Sequence, residues 1–174
     1  MELIISDKCL GLIESLGDFY AKAKKERCVV HFYRNVFSLV PKGKVKDVAA
    51  MLKAIHAQED REAAQQKAEA VIEKLTLMKL GKAAEVVEAG VQETFSYYHF
   101  PSKHGRRIRP NNPLERIMRE IRRRTNVVGC FPDGNSALML VAARLRYIAG
   151  SKWSTKRYLK MDRLEEESLA LAAA

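Results

Sequence analysis

Glu2-Leu3-Ile4-Ile5-Ser6 is a short, apolar, β-favouring run that stops at Asp7, and it reads as a buried strand. Cys28-Val29-Val30-His31-Phe32 repeats the signal. Between them, residues from about Lys8 to Lys25 place Leu10, Ile13, Leu16, Phe19 and Tyr20 at helical spacing. A strand, a helix and a strand joined by a crossover of this length imply two parallel strands. Parallel strands are normally buried on both faces of a larger sheet, and two alone are marginal in water. No further convincing strand is found; Val127-Val128-Gly129-Cys130-Phe131 reads either way. With nothing ahead of residue 2 to pair with, the expectation is the back part of an α/β domain whose other strands are missing.

Beyond Phe32 the pattern turns helical. Val36, Leu39 and Val40 close one helix before Pro41, and Val45, Val48, Ala49, Leu52 and Ile55 mark the next. Ala64 to Leu80 and Ala83 to Tyr98 carry two more, so residues 32 to 98 form an all-helical block. Pro101 to Pro113 reads as a basic, Gly- and Pro-punctuated loop. Helices are expected from Pro113 to about Arg124 and from Asn135 to about Ile148. In the first, Leu114, Ile117, Met118 and Ile121 should form a buried stripe. In the second the stripe is Leu138, Val141, Ala142 and Leu145.

A chain of 174 residues with 47% apolar content suits one globular domain or a piece of a larger one. It excludes a disordered tail. No apolar stretch reaches the roughly 18 residues of a membrane helix, and MELIISDK is no signal peptide. Cys9, Cys28 and Cys130 are odd in number and far apart, as expected for reduced thiols in a cytoplasmic protein. The net charge is +10, and +7 of it falls between residues 103 and 124. There Lys103, Arg106, Arg107, Arg109, Arg116, Arg119, Arg122, Arg123 and Arg124 face only Glu115 and Glu120. Guanidinium groups grip phosphate oxygens bidentately, so this segment is read as a nucleic-acid contact.

Two carboxylates stand out. Asp7 comes directly after a strand, where ligands of parallel sheets gather, and it either holds a divalent cation or caps the next helix. Glu115 comes after Asn112-Pro113 in the form of a capping box, with Asn112 as the cap. It can equally pair with the neighbouring arginines or ligate a metal in a groove built for phosphates. Cys28 and His31 resemble half of a zinc site, but the chain has no second Cys/His pair at the matching spacing. On a strand their side chains would point to opposite faces. A buried thiol and a hydrogen-bonded histidine are the plainer reading.

Glu26-Arg27-Cys28-Val29-Val30-His31-Phe32-Tyr33-Arg34-Asn35 resembles the CxxH segment of Mutator-type bacterial insertion-sequence transposases. Asn111-Asn112-Pro113-Leu114-Glu115-Arg116-Ile117-Met118-Arg119-Glu120-Ile121-Arg122-Arg123-Arg124-Thr125 resembles their third catalytic motif, and Val127 to Gly134 is similar to the stretch just C-terminal to that motif. Leu3-Ile4-Ile5-Ser6-Asp7 resembles the strand bearing their second catalytic aspartate. The resemblance runs from Leu3 to about Leu159. It implies a partial ribonuclease-H-like core, α/β but mostly helical, with a large all-α insertion. It assigns Asp7 and Glu115 as the second and third members of a three-carboxylate site holding two Mg²⁺ (or Mn²⁺) ions about 4 Å apart. Cys28 and His31 become a structural motif. The implied organisation is core strands and helix in 1–31, insertion in 32–100, basic loop and core helices in 101–150, and a tail in 151–174.

The family's first catalytic aspartate and its N-terminal DNA-binding part have no counterpart here. Gly105 stands where a tryptophan is usual, and Met118 where asparagine is common. The expectation is therefore a truncated transposase, inactive alone and holding no metal firmly. The intact enzyme would cut and join DNA at the element's terminal inverted repeats and its target. Its setting would be the bacterial cytoplasm, at the nucleoid, with no membrane partner. The alternative is a non-catalytic protein that binds DNA, self-associates, or pairs with full-length transposase and inhibits it. A third reading is an inert remnant that folds poorly.

Overall fold

The computed structural model describes residues 3–7 and 10–155, together with 159 and 162. Cys9, the side chains of Leu10 and Ile13, and the acidic run Glu165-Glu166-Glu167 lie outside the described residues. The chain divides into two compact units, Met1–Pro110 and Asn111–Ala174.

The first unit opens with strand β1 (Leu3–Ser6), helix α1 (Leu10–Phe19) and strand β2 (Lys24–Arg27). The strands pair in parallel, Leu3 opposite Lys24 through Ser6 opposite Arg27. The second strand therefore lies ahead of Cys28-Val29-Val30-His31-Phe32, where the apolar run placed it. Cys28 turns the chain at φ −56° and ψ 114°, and helix α2 (Val29–Phe37) begins at once. The reason is packing. Val29, Phe32 and Val36 recur at helical spacing and all three are buried. A short β-branched run fits strand and helix alike, and only its burial face tells them apart. Lys24-Lys25-Glu26-Arg27 shows no apolar alternation because Glu26 is its one buried side chain.

Helices α3 (Val45–Ile55), α4 (Arg61–Leu77) and α5 (Gly81–Gly90) complete the expected helical block. Its core is Phe32 and Val36 from α2, Val48, Leu52 and Ile55 from α3, Ala68 and Leu75 from α4, Val87 from α5, and Phe95. Each burial face obeys the i, i+3, i+4 rule. Asp60 caps α4 by accepting the Ala63 N–H at 2.7 Å. At its other end Lys79 takes φ 61°. The Leu80 N–H reaches Leu75 and the Lys79 N–H reaches Thr76, which is a Schellman turn with lysine where glycine is usual. Short 3₁₀ turns carry the chain from α5 through residues 92–104 into α6 (Gly105–Ile108). The segment 101–113 is thus not an open loop: His104, Gly105 and Ile108 are buried in the first unit.

The second unit holds α7 (Asn112–Val128) and α8 (Gly134–Ala149), packed on each other. Val127-Val128 closes α7, and Gly129 breaks it at φ 77°. The apolar stripes expected to be buried are not. No α7 residue is buried, and Ile148 alone is buried in α8. Leu138 is 65% exposed. Two helices packed as one pair can cover only part of each other's apolar face. Among the described residues, no helix is long and apolar enough to cross a membrane.

Candidate functional site

Asp7 sits in a bend directly after β1, and its side chain is exposed. The Cys28 N–H bonds the Ser6 carbonyl at 2.7 Å, so the strand pairing continues to the residue before Asp7. Glu115 lies in the first turn of α7 and is half-buried. Asn111, not Asn112, is the cap residue, and its side chain makes no cap bond. Glu115 therefore stands at the fourth helical position rather than the third, and its N–H bonds the Asn111 carbonyl at 3.1 Å. Its place in the first turn suits the positive end of the helix dipole. Asp7 belongs to the first unit and Glu115 to the second. Among the described residues, no three His, Cys, Asp or Glu side chains gather as a metal site.

The nine basic residues also divide. Lys103, Arg106 and Arg107 are exposed on the first unit. Arg109 is half-buried there, with its guanidinium 4.2 Å from the Tyr97 ring centroid and its carbonyl accepting the Val29 N–H. Arg116, Arg119, Arg122, Arg123 and Arg124 are all exposed on α7. At 100° per residue, Arg116, Arg119 and Arg123 lie opposite Leu114, Ile117, Met118 and Ile121, and Arg122 flanks that stripe beside Met118. Glu115 shares the arginine side, one turn from Arg119 and two from Arg122. Glu120 accepts from Arg144 at 2.7 Å and Arg123 at 3.4 Å, and those bonds hold its carboxyl below the usual range.

Cys28 is a buried thiol at the N-cap of α2, and His31 is half-buried one turn on. Because a helix begins at Val29, the two lie on one side of a turn, not on opposite faces of a strand.

A buried polar cluster beneath them was missed by sequence reading. Glu26 is 1% exposed, and burial pushes its carboxyl up to about 8. Its Oε2 accepts the Tyr97 N–H at 3.1 Å, while its Oε1 is buried without a partner. Ser96 donates to the Lys25 carbonyl at 2.6 Å. Arg27 pairs with Glu93 at 3.2 Å and lies over Phe32, in room that Gly90 leaves for it. His56 bridges Tyr33 at 2.9 Å and Thr94 at 2.8 Å, and burial lowers it to about 4, so it is neutral at pH 7. Burial likewise raises Tyr33 and Tyr97. These contacts tie β2 and α3 to the 3₁₀ segment. Period-two alternation puts Lys24 and Glu26 on one face, yet only Glu26 is buried, so no sequence pattern marks it as the inward residue.

Comparison with known proteins points one way. The family described as "Transposase, Mutator family" matches residues 1–154. The transposase for insertion sequence element ISRM5 of Rhizobium meliloti (strain 1021) is 33% identical over all of this chain and 44% of its own length. The transposase for IS1081 of Mycobacterium tuberculosis is 34% identical over 98% of this chain and 41% of its own. The transposase for IS256 in transposon Tn4001 of Staphylococcus aureus is 30% identical over 93% and 42%. The chain thus spans less than half the length of these curated relatives.

Proposed function

Because this chain belongs to the Mutator family of transposases, we propose that it carries two members, Asp7 and Glu115, of a three-carboxylate site on a partial ribonuclease-H-like core. In this reading residues 1–31 supply core strands and a helix, 32–100 an inserted helical block, 101–150 the basic segment with the third carboxylate, and 151–174 a tail. The observation that carries it is the head of α7. Glu115 stands there on the same side as Arg119 and Arg122, both exposed. A carboxylate able to ligate a hard cation thus sits among guanidinium groups able to hold phosphate.

Both carboxylates are hard oxygen donors, the class that suits Mg²⁺ or Mn²⁺, so the residues fit such ions. When bound, the ions supply Lewis-acid activation of an attacking water or 3′ hydroxyl and of the leaving oxygen of a phosphodiester. The arginines of α7 grip the DNA backbone and fix its register. Lys103, Arg106 and Arg107 add contacts from the first unit, while Arg109 is spent on Tyr97. In the intact enzyme the substrates are the element's terminal repeats and its target DNA. The 174 residues supply two of three carboxylates, so alone they bind DNA without cutting it. A Mg²⁺- or Mn²⁺-dependent nicking assay on terminal-repeat DNA tests this. Bound but uncut DNA is expected; robust turnover abolished by Glu115→Gln contradicts it.

A second reading keeps DNA binding and replaces catalysis with pairing. Leu114, Met118, Leu138 and Met139 remain exposed on α7 and α8, which favours association with another copy or with intact transposase. Co-purification with intact transposase is expected; a monomer that captures none contradicts it.

A further inference from the structure

The second unit contains a cleft of about 230 Å³ between α7, α8 and the turn after α8. Its chemistry is unlike the rest of the arginine-rich surface. Arg116, Glu120 and Arg123 line it from α7, Arg144 and Tyr147 from α8, and Trp153 from the turn. The Arg116 guanidinium lies 4.7 Å from the Trp153 ring centroid, and that of Arg144 lies 4.8 Å from Tyr147. Glu120 is the one carboxylate lining the cleft against three guanidinium groups, and it is bonded to Arg144 and Arg123. The cleft keeps a surplus of positive charge. The Arg144 Nε–H is buried there without a partner. Tyr147 is 67% exposed, so much of its ring is open to a ligand.

We propose that this cleft holds one unstacked nucleotide of single-stranded DNA, its base against Tyr147 and Trp153 and its phosphate on Arg116 and Arg123. The inference rests on the DNA-contacting reading given above and goes beyond it. A bare phosphate would use the guanidinium groups and leave the rings idle. Duplex DNA presents phosphates and base edges but no base faces, which stay inside the stack. Aromatic rings interleaved with arginines match a base that has left the stack. The volume is below the roughly 300–1,000 Å³ of sites for larger ligands, which fits one planar ring with its phosphate at the mouth.

Trp153 is the chain's single tryptophan, so its fluorescence reports on the cleft alone. The full chain is titrated with a short thymidine oligomer, a duplex of matched length and inorganic phosphate. The oligomer is expected to quench Trp153 strongly and the duplex weakly. Tyr147→Ala, at an exposed position, should weaken oligomer binding about tenfold and leave duplex binding unchanged. Equal quenching by inorganic phosphate overturns the proposal in favour of a simple anion site. Oligomer affinity unchanged by Tyr147→Ala, with duplex binding intact, overturns the nucleotide site and leaves the α7 DNA face standing. Failure to bind either DNA overturns both.

Discussion

The two units spend their apolar residues differently. In Met1–Pro110 four helices close over Phe32, Leu52, Leu75 and Phe95, all sealed from water. In Asn111–Ala174 two helices of comparable amphipathic pattern leave Leu114, Met118, Leu138 and Val127 in solvent. The same periodicity yields a core in one and an open face in the other because a stripe is buried only when enough neighbours surround it. The first unit is a scaffold. The second is a surface, with arginines on one side of α7 and uncovered apolar residues on the other.

The contrast is broken most severely by truncating side chains. Phe95→Ala empties a sealed site and should cost about 3–5 kcal/mol in urea unfolding. Leu138→Ala should change the unfolding free energy by less than about 0.5 kcal/mol, because its side chain is already largely in water. Comparable losses at the two positions would erase the distinction.

A second effect belongs to the scaffold's buried polar groups. Folded Glu26 keeps its proton up to about pH 8, whereas the unfolded chain releases it near 4.5. Stability therefore falls as pH rises between these values. His56 acts oppositely: the unfolded chain takes up a proton near pH 6.5 and the folded protein only near 4, so stability falls on acidification across that window. The two offset each other from 4.5 to 6.5. Between pH 6.5 and 8 Glu26 acts alone, and the expected loss is about 2 kcal/mol. Chemical denaturation at both pH values checks this. Glu26→Gln should flatten the decline, and a decline that persists in that variant contradicts the assignment.

The smallest effect is local. Lys79 sits at φ 61°, a conformation glycine adopts without cost. Lys79→Gly should stabilise the first unit by about 0.5–1 kcal/mol. A thermal melt that shifts downward would show that the Lys79 side chain contributes more than its backbone strain costs.

Sequence reading was strongest where periodicity was long. The helices of residues 45–90 and helices α7 and α8 are legible from spacing alone; a parallel partner for β1 is legible too, but the apolar run places it at residues 28–32 and not at Lys24–Arg27. Cys28-Val29-Val30-His31-Phe32 misleads because four apolar residues in a run of five fit both periods. Lys24 to Arg27 misleads too, where a charged strand buries a single protonated glutamate. Neither error reflects weak signal so much as missing tertiary context. The basic segment and Glu115 were legible as composition and motif. The division of those charges between two units, the burial of Arg109 against Tyr97, and the Trp153–Tyr147 cleft depend on contacts between residues far apart in sequence.

The role assigned to α7 is tested most directly by the salt dependence of DNA binding. With Arg109 held on Tyr97, six to eight cationic contacts remain, and the log–log slope of affinity against salt should be about −5 to −7. Replacing Arg119, Arg122 and Arg123 together by Gln should make it shallower by about 3. An unchanged slope in that triple variant would contradict a DNA-facing α7.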